Sequence, residues 1–375
     1  MFRIYILVSF LLLASFSCDQ SETKKLLKPA MDMSGQSSEK LSGKPKNIIL
    51  LIGDGMGLTQ ISAGMYSQDN KTALEEFKTI GLHKPHASNK LITDSAAAAT
   101  SFACGVKTYN GAIGVDQDTI PVTSILEMAE AKGLKTGLVA TSTIVHATPA
   151  SFFSHNPYRK NYEAIAADIV NSGVDFFVGG GKKFFTNRDD ERDLSSELTR
   201  KGYVVKDFFS DDMNDIKIDA SKPFGFLTAN EDPIPVSQGR DYLIPASNAA
   251  IRYLDQQEEN FFLMIEGSQI DWGGHANDGE YVISEFIEYD KVIKACIDFA
   301  KKDKNTLVIV TADHETGGLA IQAESKLNDL ELAFTSTYHT GTMIPVFAYG
   351  PGAEAFGGIY ENTAIFNKMI EAYGW

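Results

Sequence analysis

Cysteine is nearly absent: three occur among 375 residues. A disulfide framework is therefore excluded as the source of stability. Basic residues are also in deficit, with 34 Lys and Arg against 49 Asp and Glu and a formal net charge of −15. Such a surface repels a phosphate backbone, so sequence-specific nucleic-acid binding is not expected. No internal repeat is visible, which argues against a solenoid. A comfortable membrane span needs about 20 apolar residues, and the apolar run Ile4 to Leu13 is too short for one.

That run fits an export signal instead. Arg3 is the only charge within residues 1–17, and it precedes the apolar stretch. Cys18 follows Leu13-Ala14-Ser15-Phe16-Ser17 and precedes Asp19 and a polar segment, which resembles a bacterial lipoprotein cleavage site. Two fates are open: a lipidated Cys18 that anchors the chain to a membrane, in the periplasm or at a surface, or plain secretion, which Phe16 favours. Cleavage before Cys18 removes Arg3 and moves the net charge from −15 to −16. Residues 18–45 are rich in Ser, Lys, Glu and Pro without periodicity and read as a flexible tether. Cys104 and Cys296, far apart in sequence, are expected as buried free thiols.

The remainder is globular in composition, 43% hydrophobic and 22% charged. Lys46 to Ile52 is a continuous apolar run that suits a strand buried on both faces. It enters Gly53-Asp54-Gly55-Met56-Gly57, whose glycines fail the dinucleotide spacing and read as a tight turn exposing Asp54. Asp94-Ser95 stands before four alanines, so a helix is expected to begin near Ser95. Its unpaired N–H groups and positive dipole end suit an anion such as phosphate, although the stretch taken alone favours a capped, buried Ala-rich helix.

Further on, Pro121 to Lys132 is expected as a helix, Lys135 to Thr141 as a strand, and Ser142 to Ala150 as a polar loop carrying His146 and Thr148. A helix over Tyr162–Val170 and a strand over Val174–Val178 follow. Residues 187–244 are irregular and charged and read as a peripheral excursion. A helix is expected over Ala246–Gln256, then a strand over Phe261–Ile265 with Glu266 at its end. Val282, Phe286, Tyr289, Ile293, Cys296 and Ala300 mark a long amphipathic helix. Thr306 to Thr311 is a strand with Asp313-His314 beyond it, Ile344 to Tyr349 another, and Asn362 to Ala372 a closing helix.

Strands alternating with helices predict an α/β fold: a three-layer sandwich with a large, mostly parallel central sheet and helices on both faces, in one catalytic domain spanning 46–375. Sites in open α/β sheets form at the carboxyl ends of strands. Asp54, the His146–Thr148 loop, Glu266 and Asp313-His314 all follow apolar strands, so four strand ends converge on one rim. His339 precedes its strand, which requires that strand to be antiparallel or its loop to cross. Carboxylate with imidazole suits Zn²⁺, and carboxylate with hydroxyl and water suits Mg²⁺. Asp271 and His275 are four apart with two glycines between them, which lets both turn onto one ion. Adjacent Asp313 and His314 can share an ion only if the chain bends after Ala312. Singly, each of these residues is better explained as a turn, a cap or a paired core group. Jointly, those explanations require a polar cluster at one rim with no use.

Six motifs in order now carry a resemblance. Ile52-Gly53-Asp54-Gly55-Met56-Gly57, Thr93-Asp94-Ser95-Ala96-Ala97, His146-Ala147-Thr148-Pro149-Ala150, Glu266-Gly267-Ser268-Gln269-Ile270-Asp271, Thr311-Ala312-Asp313-His314-Glu315 and His339-Thr340-Gly341 resemble those of the alkaline phosphatases, most of all the compact, cold-adapted bacterial members. The resemblance implies Ser95 as nucleophile and Arg159 as phosphate clamp, with Asp94, His146 and Trp272 orienting the substrate. It implies a first zinc on Asp271, His275 and His339, and a second on Asp54, Asp313, His314 and Ser95. Magnesium would take Asp54, Thr148 and Glu266. His146 and Trp272 stand where the best-studied bacterial pattern has Asp and Lys. Hydrolysis of phosphate monoesters through a phosphoseryl intermediate, in a homodimer, is the implied activity. A phosphodiesterase or sulfatase on the same scaffold, or a surface protein that binds metal and phosphate without turnover, are the alternatives.

Overall fold

A computed structural model describes residues 43–375. The proposed signal, Cys18 and all but the last residues of the tether lie outside that range. Among the described residues, fourteen strands follow in chain order. They are β1 (Asn47–Gly53), β2 (Thr79–Lys84), β3 (Lys135–Thr143), β4 (Phe176–Gly180), β5 (Val204–Asp207), β6 (Phe224–Leu227) and β7 (Phe261–Gly267). Then come β8 (Thr306–Thr311), β9 (Glu315–Thr316), β10 (Ala320–Ile321), β11 (Leu332–Ala333), β12 (His339–Thr340), β13 (Ile344–Tyr349) and β14 (Gly358–Glu361). Ten of them form one sheet in the order β14-β2-β13-β8-β1-β7-β3-β4-β6-β5. Every pairing is parallel except those of β13 with β8 and β2. That antiparallel strand answers the question raised by His339: the segment before β13 starts at the rim where the parallel strands end.

Both faces of the centre are buried, and alternation sorts the side chains. Ile49 and Leu51 of β1, Leu263 and Ile265 of β7, and Val308 and Val310 of β8 pack with Val282, Phe286, Tyr289 and Ile293 of the helix Gly279–Asp303. Ile48, Leu50, Phe262, Met264, Leu307 and Ile309 face the other way, toward the helices Ser95–Cys104, Ile125–Ala131, Tyr162–Ile169 and Thr363–Tyr373. The expected three-layer α/β sandwich is the observed one. Among the described residues, Cys104 and Cys296 are free and buried, and no helix is long and apolar enough to cross a membrane.

Differences from expectation have local causes. The helix expected from Pro121 starts at Ile125, because Ser124 and Glu127 form a capping box there and Val115 pairs with Pro121 upstream. The Ser142–Ala150 loop contains one helical turn, Ala147–Ala150. Residues 187–244 lie at the sheet edge and also extend it, supplying β5 and β6. The helix Leu58–Tyr66 and strand β2 had no expectation at all, since the sequence there shows neither a long apolar run nor a clear period.

The same edge region braces the site. Arg240 is almost fully buried and bonds Glu285 and Glu288 of the long helix, each at 2.5 Å. Just upstream, Thr143 N donates to Asp232 Oδ1 at 2.8 Å, and Gln269 Nε2 donates to Pro233 O and Thr141 O. Arg240→Met should lower stability by about 3–5 kcal/mol, because two buried carboxylates lose their counter-charge. Chemical denaturation checks this, with a loss below about 1 kcal/mol as the contrary result.

Candidate active site

Residues from six places in the chain meet at the carboxyl ends of the central strands. Asp54 follows β1 through a turn in which Gly55 has φ +73°, a conformation that favours glycine. A Cβ on Gly55 would also stand 2.6 Å from Asp271 Cα. The turn does not expose Asp54, as the sequence suggested, but buries it completely. It faces inward, within 4.8 Å of donor atoms of Asp313 and His314. Asp94 caps the helix Ser95–Cys104, its Oδ1 accepting from Ala97 N at 3.0 Å and Gly111 N at 3.1 Å. Ser95 therefore begins the helix and is buried.

Beyond β8 the chain bends at Asp313, as two adjacent ligands require. The carbonyl of Ala312, released from the sheet, accepts from His83 Nε2 at 2.9 Å. Burial lowers the His83 pKa to about 4, so the ring is neutral and that nitrogen carries its proton. Asp313 Oδ1 accepts from Gly55 N at 3.1 Å and His314 N at 2.9 Å, which aims its other oxygen at His314 Nε2, 3.2 Å away. Asp271 and His275 lie one turn apart on the helix Gln269–Ala276. Its glycines are contact residues: a Cβ on Gly273 would meet Val282 N at 2.8 Å, and one on Gly274 would meet Thr316 Cβ at 2.9 Å.

The donors form overlapping sets. Asp271, His275 and His339 are joined by distances of 3.1 Å (His275 Nε2 to His339 Nε2), 3.4 Å and 3.6 Å. His314 also comes within 4.8 Å of Asp271 and His339. Asp54, Asp313 and His314 make a second set, with Ser95 Oγ 3.3 Å from His314 Nε2. Asp54, His146 and Glu266 make a third cluster, their nearest donor-type atoms all within 4.8 Å of one another. Thr148, in the turn after His146, is wholly buried.

These sets fit cations. Neither Asp54 oxygen has a hydrogen-bond partner, nor have Glu266 Oε1, Asp313 Oδ2 or Thr148 Oγ1, all of them buried. Burial, then the charges of Asp313, Asp271 and Glu266, push the Asp54 carboxyl well above the usual range. Burial lifts Glu266 to about 7 against the hydroxyls of Ser268 and Ser142. Without a cation these carboxylates would be protonated or repel one another. The imidazoles agree. His275 Nδ1 is held by Thr337 O at 2.7 Å and His339 Nδ1 by Thr93 O at 2.8 Å. Carbonyls only accept, so each Nδ1 carries the proton and each Nε2 presents a lone pair. Two such lone pairs face each other at 3.1 Å, an arrangement that a shared cation satisfies.

The anion clamp lies beside them. Arg159 Nη1 donates to Asp94 Oδ2 at 3.0 Å, and Nη2 donates to His146 Nε2 at 3.3 Å. Burial opposes the Arg159 charge, and Asp94 more than offsets it. Burial, with Arg159 beside it, lowers His146 to about 3, so its ring is neutral. Trp272 is half-buried and meets His146 edge-on, with ring centroids 6.2 Å apart. All residues singled out in the sequence thus reach one rim. Sequence reasoning missed their supports, namely Thr316 and the hydroxyls of Ser142 and Ser268. No residue type or spacing sets these apart from other buried hydroxyls.

Known proteins match the chain along most of its length. The alkaline phosphatase family model matches residues 45–331. Alkaline phosphatase 3 of Bacillus subtilis (strain 168) is 36% identical, over 87% of this chain and 88% of that protein. The alkaline phosphatase of Escherichia coli (strain K12) is 31% identical, over 92% and 89%. The solved alkaline phosphatase of the Antarctic bacterium TAB5 is 45% identical, covers 88% of this chain and 98% of its own, and superposes with a TM-score of 0.84. A variant of the TAB5 enzyme, also at 0.84, has magnesium bound in its M3 site. With the ordered motifs, the sheet and the clustered donors all in agreement, this chain belongs to the alkaline phosphatase family, metal-dependent enzymes that hydrolyse phosphate monoesters.

Proposed function

We propose that Ser95 is the nucleophile of this hydrolysis and that the reaction passes through a phosphoseryl intermediate. The observation that carries this reading is the placement of Ser95 Oγ. It starts a capped helix, lies 3.3 Å from His314 Nε2, and adjoins the Asp94–Arg159 pair. Arg159 takes two non-bridging phosphate oxygens in its fork while Asp94 fixes its plane. The helix N-terminus adds N–H groups for the same charge. Ser95 Oγ attacks phosphorus in line, the O–P bond to the leaving alcohol breaks, and the alcohol departs. Water then attacks phosphorus from the opposite side, Oγ leaves, and phosphate is released with net retention.

Two zinc ions, one on Asp271, His275 and His339 and one on Asp54, Asp313, His314 and Ser95, with magnesium on Asp54, Thr148 and Glu266, would when bound lower the Ser95 pKa and neutralise the entering and leaving oxygens. His146 and Trp272 shape the side where magnesium and phosphate adjoin, His146 by fixing Arg159. Export through residues 1–17, anchoring through a lipidated Cys18, one catalytic domain over 46–375 and homodimeric assembly complete the reading. They rest on the signal-like N-terminus and the family resemblance. Mass spectrometry of the mature N-terminus and light scattering test them.

The central experiment compares monoester and diester hydrolysis by purified protein, before and after chelation, beside metal analysis. Zinc and magnesium should be found, chelation should abolish turnover, and monoesters should be strongly preferred. A large diester preference would overturn the monoester reading, and bound metal and phosphate without turnover would identify a binding protein. Arg159→Ala should lower kcat/KM by about 10²-fold, the usual loss of one positioned charge donor, and weaken inhibition by inorganic phosphate. Unchanged phosphate inhibition would remove Arg159 from the clamp.

A further inference from the structure

We propose that Thr316 is a positioning residue whose single hydroxyl ties the two zinc sets together, so that each set depends on it for its affinity. This rests on the ligand sets given above. Thr316 Oγ1 bonds Asp271 Oδ1 at 2.5 Å and lies 3.2 Å from His314 Nδ1. Asp271 as a metal ligand is a carboxylate, whose oxygens only accept, so the one hydroxyl proton of Thr316 goes to Asp271. Thr316 Oγ1 then accepts from His314, which places the imidazole proton on Nδ1. His314 Nε2 is left as a lone pair toward Ser95, Asp54 and Asp313. The chain His314 Nδ1–H to Thr316 Oγ1–H to Asp271 thus sets the tautomer of a donor in one set and the orientation of a donor in the other.

The hydroxyl is held for this position. Thr316 N donates to Gly55 O at 3.2 Å, and Gln60 Nε2 donates to Thr316 O at 2.8 Å. Thr316 pairs across the β9–β12 ladder with His339, itself a donor of the first set. A Cβ on Gly55 would lie 2.8 Å from Thr316 Oγ1, so glycine leaves the room the hydroxyl occupies. His275 and His339 have their Nδ1 protons fixed by backbone carbonyls, but His314 has a side chain in that role. A side-chain hydroxyl can be removed by mutation while the fold's backbone bonds are kept.

The test is zinc binding, not turnover. Full-length protein stripped by chelator is titrated with zinc against a competing chromogenic chelator, for wild type, Thr316→Val and Thr316→Ser. The wild type should take two tight equivalents. Thr316→Val should weaken both, each by about 10–100-fold, the usual loss on removing a partner that orients a metal ligand. Thr316→Ser, which keeps the hydroxyl, should restore both. If Thr316→Val weakens one equivalent alone or neither, or if Thr316→Ser behaves like Val, the tie does not exist. If the wild type itself takes up no zinc, the ligand sets fail first and this proposal with them. ¹⁵N spectra of the histidines in the zinc-free wild type give a second reading that needs no variant. The proton of His314 should be found on Nδ1, and an Nε2 proton would overturn the proposal.

Discussion

Replacing Ser95 with alanine should lower kcat on a phosphate monoester by on the order of 10⁴-fold or more, the scale seen when a nucleophile is removed. The loss should be confined to chemistry. Ser95 is followed by four alanines in a helix that tolerates one more, and the cap is the Asp94 side chain, which the substitution leaves intact. The carboxylates and imidazoles of both donor sets also remain, so metal content should stay near that of the wild type. Covalent labelling sharpens the test. Wild type briefly incubated with ³²P-labelled monoester at acidic pH and quenched should carry label on Ser95, and Ser95→Ala should carry none. Full activity in the variant, or label elsewhere, would remove Ser95 from the role.

Asp54→Asn should be the most damaging change to the metal sets, and its effect on stability should reverse sign with metal. Asp54 belongs to two donor sets, and neither of its oxygens is bonded by the protein. Asparagine keeps the shape but offers one neutral acceptor in place of a shared anion, so turnover should fall below detection. In excess zinc and magnesium the wild type is stabilised by mass action, about 4 kcal/mol for each site filled at a thousand times its Kd. The variant forfeits much of that and should melt lower. After chelation the order should invert. Folding the metal-free wild type buries a carboxyl whose pKa is raised by burial and by Asp313, Asp271 and Glu266. A raised carboxyl pKa destabilises the folded state at neutral pH relative to acid, because the chain must take up a proton or bury a repelled charge. The asparagine has neither problem. Melting curves with and without chelator check this, and a variant less stable in both conditions would show that Asp54 is satisfied by something other than a cation.

Much of this was legible in the sequence because it depends on local pattern. Apolar runs such as Ile48–Ile52 and Leu307–Val310 are long enough to be strands buried on both faces, and polar residues just after them must lie at strand ends. The Asp94-Ser95 cap could be read from helix propensity alone. Other features could not be read, because they depend on contacts between distant segments. The bend after Ala312 relies on His83, whose strand β2 carries no strong signal. Asp54 was expected at an exposed turn, yet nothing in its neighbours reveals that Asp313 and His314 will cover it. Thr316 is chemically indistinct until Asp271 and His314 are seen on either side of its hydroxyl.

The order of strands has a consequence for how the chain is made. β1 is the central strand, yet its neighbours are β7 and β8, and the bond from Phe261 N to Asn47 Oδ1 spans 214 residues. Closing so long a loop before any contact repays it makes folding slow. β1, the first of the described strands, therefore lacks both of these neighbours until β7 and β8 have followed, and His339 arrives later still. A chain cut before β8 lacks Asp313, His314 and His339 and should form neither of the two sets those residues complete, although Asp54, Thr148 and Glu266 are already present.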